Sequence, residues 1–117
     1  MTSGGIIQVM NQELFERIDR FIKERDWDQF HSPENLVKSI AIEAGELLEI
    51  FQWSSEGEPE KVKEELADVM IYCIQLVMKY GFDIEEIISE KLLKNEQKYP
   101  ISKSKGNSKK YTEFDVE

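Results

Sequence analysis

Residues 59–81 read PEKVKEELADVMIYCIQLVMKYG, and the periodicity of this stretch decides the fold class. Proline opens it, at the first turn of a helix where a missing N–H costs nothing, and glycine closes it, where chains commonly turn left-handed. On a wheel of about 100° per residue, Leu66, Val69, Cys73, Leu76 and Val77 all fall within roughly 60° of Val62. A strand would alternate, whereas these apolar positions recur every three or four residues. After Asp68 most of the circumference is apolar, which predicts a central, largely buried helix.

Working outward, Ser32-Pro33 supplies a hydroxyl cap and an N-terminal proline for a second helix running to about Trp53. Leu36, Ile40, Leu47, Ile50 and Phe51 form its stripe, and SSEGEP punctuates the chain after it. Upstream, Met10, Leu14, Ile18, Phe21 and Ile22 predict a helix from about Gln8 to Arg25, which DWDQFH at 26–31 interrupts. Downstream, Asp83 with Glu86 three residues on resembles a capping box, and the helix it opens ends before Pro100. Four helices with short connections predict an all-α chain, a compact four-helix bundle over residues 1–100. Residues 101–117, ISKSKGNSKKYTEFDVE, show no apolar period and read as an extended C-terminal tail, basic and then acidic.

At 117 residues the chain has room for one domain. The net charge is -9, and the tail holds four lysines against three acids, so residues 1–100 carry 11 basic and 21 acidic side chains. Such a body repels a nucleic-acid backbone. No apolar run approaches the ~20 residues a membrane helix requires. The start, MTSGGIIQVM, lacks the basic and apolar regions of a secretory signal, and the single Cys73 cannot form an internal disulfide. A reducing cytoplasm is the expected location.

Carboxylates stand where apolar residues belong. Glu43 falls inside the stripe of the second helix and Glu46 on its edge, one turn along; Glu65 falls between Tyr72 and Leu76 on the third helix, with Asp68 one turn along. Four acids meeting across a core repel one another, and burying them unpaired is costly. Neither 39–53 nor 64–78 holds a Lys or Arg to compensate. An oxygen cage of three Glu and one Asp suits a hard divalent cation, Mg²⁺ or Mn²⁺. The only histidine, His31, lies outside both helices, which disfavours redox iron and catalytic zinc. Mg²⁺ normally completes its shell with water and substrate phosphates, so a phosphorylated small molecule is the expected ligand.

On the fourth helix Lys91, Asn95 and Lys98 continue the apolar stripe of Ile84, Ile87 and Ile88, as phosphate and sugar contacts would. Trp27, Phe30, His31 and Trp53 end or follow the first two helices, where a flat base could stack. Taken singly, each is more often a core plug.

The block EAGELLEIFQW at 43–53, EELADV at 64–69 and NEQKYP at 95–100 together resemble the MazG-like all-α nucleoside triphosphate pyrophosphohydrolases, and within them the dCTP pyrophosphatase branch. The resemblance runs from RDWDQFH at 25–31 to the SKGNSKKYTE tail. Two positions depart from the pattern: Ile42 replaces the first of two adjacent glutamates, and Ile18 stands where many animal members carry a histidine. The resemblance implies hydrolysis of a nucleoside triphosphate to the monophosphate and pyrophosphate, by water attacking the α-phosphorus. It implies Mg²⁺ on Glu43, Glu46, Glu65 and Asp68, with Glu46 and Glu43 catalytic and Glu46 orienting the water. Lys91, Asn95, Lys98, Lys103 and Lys105 would take phosphate or sugar, and Trp27, His31, Trp53 and Tyr72 would frame the base. A homodimer or homotetramer is also implied. Two rival classes are a helical interaction module and a metal-storing bundle, neither of which would release pyrophosphate.

Overall fold

The computed structural model describes residues 3–114, with side chains from Gln12 onward. Among the described residues there is no strand. The helices are α1 (Ser3–Glu24), α2 (Pro33–Glu49), α3 (Pro59–Tyr80), α4 (Ile84–Lys98) and a short α5 (Ile101–Ser104), with 3-10 turns at Asp28–Phe30 and Tyr111–Glu113. The all-α class is as expected, and α3 has the bounds its proline and glycine predict. The side chain of Met10, placed in the first stripe, and those of Asp115 and Glu117 lie outside the described residues. None of the helices described is long and apolar enough to cross a membrane. The chain divides after Gly81 into two compact units.

In the first unit α3 packs along α2 and against α1. Ile18 and Ile22 of α1 are buried on Ile74 of α3, with Phe15 and Met78 partly buried beside them, and Leu36 of α2 is fully enclosed. The end of α1 sets the course of the turn after it. Asp26 adopts a left-handed φ of 55°, its N–H donates to the Lys23 carbonyl at 3.0 Å, and the Trp27 N–H donates to the Ile22 carbonyl at 3.0 Å. This paired closure normally uses glycine, and it folds the Trp27 ring back toward the helix. The Phe21 ring meets Trp27 edge-on with centroids 5.7 Å apart, and the Arg25 guanidinium lies over the Phe21 ring, 3.9 Å from its centroid. Lys79 of α3 ties the 3-10 turn down through Asp28 at 2.9 Å. Ser32 Oγ then accepts from the Asn35 N–H at 3.2 Å, and Asn35 Nδ2 donates to the Phe30 carbonyl at 2.9 Å. His31 is thus held between a turn and a helix cap.

Two expectations are corrected by the fold. The second helix stops at Glu49 and does not reach Trp53, because the N–H groups of Ile50, Phe51 and Gln52 bond three residues back, to Leu47, Leu48 and Glu49. This tightening ends the α-helical ladder. Phe51 then closes on Gly57, where a Cβ would lie 2.6 Å from Cζ of its ring, so a larger residue there would have to displace that ring. The third helix is less buried than its composition predicts. Ile74, Gln75 and Val77 are buried, but Leu66, Met70 and Ile71 stay exposed, because its core contacts with α1 are made by its second half.

Gly81 ends α3 at φ 68°, the left-handed geometry expected of it. In the second unit Asp83 Oδ1 accepts from the Glu86 N–H at 2.9 Å, the cap expected from sequence. The tail, expected to be extended, contains two short helical turns and comes back on the end of α4. Tyr99 meets Tyr111 and Phe114 edge-on at 6.1 and 5.8 Å, and Lys98 Nζ lies 5.1 Å from the Tyr111 ring centroid.

Candidate functional site

Glu43 and Glu46 lie one turn apart on α2, and Glu65 lies opposite on α3. Each brings one carboxylate oxygen into a cluster in which all three lie within 4.8 Å of one another. Glu46 is exposed, and Glu43 and Glu65 are half-buried. Oε2 of Glu43 and Oε2 of Glu65 are both enclosed and make no hydrogen bond. Buried acceptors are ordinarily paired, so two enclosed orphans facing a third carboxylate fit a divalent cation. Burial chiefly, then the Glu46 carboxylate beside it and the charges of Asp68 and Glu65, push the Glu43 carboxyl up to about 7. Burial, Glu46, Asp68 and Glu64 raise Glu65 in the same direction.

These raised carboxyls make stability depend on pH. A carboxyl raised in the folded state holds a proton that the unfolded chain has already released, so stability is full below pH ~4.5 and declines as pH rises toward 7. Without metal, the protein should melt several degrees lower at pH 8 than at pH 5. A divalent cation should restore more at pH 8 than at pH 5, because it binds the ionised cluster. Calorimetry showing equal metal-induced shifts at both pH values would contradict a shared carboxylate site.

Asp68, one turn after Glu65, lies outside the three-oxygen cluster but acts on it through its charge, and it lines a neighbouring cavity of about 490 Å³ between α1 and α3. Ile18, Phe21, Trp27, His31 and Tyr72 form much of the wall. The His31 and Tyr72 rings meet edge-on with centroids 6.2 Å apart. Three of the four aromatic residues assigned to a base are therefore brought together beside the carboxylates. Trp53 is not among them: it follows the tightened turn after α2 and is 90% exposed.

The residues assigned to phosphate and sugar belong to the second unit. Lys91 and Lys98 are exposed and Asn95 is half-buried on α4. Lys103 lies in α5, where its carbonyl accepts from Asn107 Nδ2 at 3.0 Å, and Lys105 comes directly after that turn.

Gln75 was not singled out from sequence, yet it also lines the cavity and is buried. A signal existed: Asp68, Tyr72 and Gln75 at i, i+4 and i+7 share one face of α3.

A MazG-like family model matches residues 38–114. The chain is 40% identical over 104 residues to dCTP pyrophosphatase 1 of Rattus norvegicus, covering 80% of this chain and 61% of that protein. It is 34% identical over 127 residues to dCTP pyrophosphatase 1 of Bos taurus, covering 97% of this chain and 75% of the relative. Against the rat protein, then, it spans about three-fifths of the relative's length. Among solved structures, a pyrophosphatase from Archaeoglobus fulgidus superposes with a TM-score of 0.71 at 39% identity, covering 78% of this chain and 93% of that one.

Proposed function

Because the chain belongs to the MazG-like family, we propose that it hydrolyses a nucleoside triphosphate, a dCTP-like pyrimidine nucleotide, to the monophosphate and pyrophosphate. The observation that carries this reading is the adjacency, through Asp68, of a carboxylate cluster fit for a cation and an aromatic cavity of a size to hold a base.

Glu43, Glu46, Glu65 and Asp68 would hold Mg²⁺, with Mn²⁺ able to replace it. When bound, such an ion supplies positive charge for the phosphate oxygens and makes the attacking water more acidic. Glu46, the exposed member of the cluster, orients the water toward the α-phosphorus and receives its proton, and Glu43 supports it from the half-buried side. The water oxygen bonds to the α-phosphorus, the bond to the bridging oxygen breaks, and pyrophosphate leaves with the negative charge. Lys91, Asn95, Lys98, Lys103 and Lys105 take the phosphate and sugar roles their charge and spacing support. Trp27, His31 and Tyr72 hold the base, and Trp53 joins them only by moving from its exposed position. Residues 1–100 act as the catalytic domain, with 101–117 as an appended tail.

Ile42 and Leu48 on α2 and Met70 on α3 are large apolar side chains left exposed, which supports a homodimer or homotetramer. A lone Cys73 suits a reducing cytoplasm.

Incubation with each dNTP and Mg²⁺, then assay for pyrophosphate and orthophosphate, tests the reading. Pyrophosphate should appear as the first product, fastest from dCTP. Orthophosphate first, or no product from any triphosphate, would refute it.

A further inference from the structure

Two residues that line the cavity carry polar atoms that the packing leaves unsatisfied. Gln75 is only 6% exposed, and its Oε1 is enclosed without a hydrogen-bond partner. His31 Nδ1, in the wall of the same cavity, is likewise enclosed and unpartnered. The orphan on Gln75 is not explained by folding, because leucine or methionine at 75 would pack in the same apolar run of α3 without an orphaned carbonyl. Gln75 lies three residues after Tyr72, and Tyr72 meets the His31 ring, so all three belong to one wall of a cavity otherwise lined largely by Ile18, Phe21 and Trp27. A largely apolar pocket with a few unsatisfied polar groups is the construction of a site that orients a flat polar ring.

We propose that Gln75 is the specificity-determining residue that reads the edge of the base, its carbonyl accepting from an exocyclic amino group and its NH2 donating to the adjacent ring nitrogen. The inference rests on the cavity being the base pocket. A carboxamide presents an acceptor and a donor side by side in one plane, and the amino group and N3 of cytosine present the complementary pair. Uracil and thymine present a carbonyl beside an N–H, which this orientation of the carboxamide opposes and one turned over by 180° would accept. The pairing also gives the enclosed Oε1 the donor it lacks.

The test reads binding without turnover. Trp27 lines the cavity, so the intrinsic fluorescence of the full-length protein can be titrated with dCMP and with dTMP. Wild type should bind dCMP roughly tenfold or more tightly than dTMP. Gln75→Leu should bind the two alike while keeping or raising the melting temperature, because it removes an orphaned buried carbonyl. A wild type that does not distinguish the two, or a Gln75→Leu variant that keeps the preference, would overturn the proposal. So would a loss of preference in Gln75→Leu matched by an equal loss in melting temperature, which a purely structural glutamine would give. None of these readings needs hydrolysis, so absence of pyrophosphate release would refute the proposed reaction and leave Gln75 to be judged on its own.

Discussion

Glu65→Gln should lower the rate of pyrophosphate release at least ~100-fold, since even groups that merely orient metal ligands cost 10–100-fold when removed. The same substitution should leave the metal-free protein as heat-stable as wild type or more so. Glu65 Oε2 is enclosed with no partner, and burial first, then Glu46, Asp68 and Glu64, raise its carboxyl, so removing its charge relieves the fold while depriving a cation of a ligand. Opposite signs for activity and stability are what separate a functional carboxylate from a structural one. Near-wild-type turnover in Glu65→Gln would remove this residue from the site. A large drop in the melting temperature of the metal-free variant would instead make it part of the packing.

The second large effect falls on stability. Leu36 is 0% exposed and is the only fully enclosed large side chain among the described residues. Leu36→Ala should cost about 2–5 kcal/mol, the transfer loss plus a cavity that the α2–α3 pair can only partly close. For a chain of this size that corresponds to a fall in melting temperature of roughly 10 °C or more. Thermal unfolding at fixed protein concentration checks it, and a change of only a degree or two would mean that α2 repacks freely.

The fold was legible where local chemistry dictates it. Pro59 and Gly81 bracket α3, Ser32 and Pro33 open α2, and Asp83 with Glu86 opens α4, because caps and prolines act on backbone groups within a single turn. The carboxylate cluster was legible for a different reason: Glu43 and Glu65 interrupt apolar stripes, and an acid in a core register has few explanations. The features that escaped depend on contacts distant in sequence or on uncommon backbone choices. Asp26 takes a left-handed position more often filled by glycine, so the reversal that places Trp27 was hidden. Ile50 and Phe51 extend the stripe of α2 beyond the point where its hydrogen bonds shorten, so the helix read too long. The tail has no period, yet Tyr99, Tyr111 and Phe114 cluster across a gap of twelve or more residues. Trp53 has the chemistry of a stacking residue and Gln75 that of a solvated one, and their burial reverses both impressions.

In the proposed reaction water attacks the α-phosphorus of a nucleoside triphosphate. Hydrolysis of dCTP in H₂¹⁸O with Mg²⁺, followed by mass spectrometry of both products, locates the attacked phosphorus. Attack at the α-phosphorus predicts one ¹⁸O atom in the dCMP and none in the pyrophosphate; label in the pyrophosphate would place the attack at the β-phosphorus and contradict the claim.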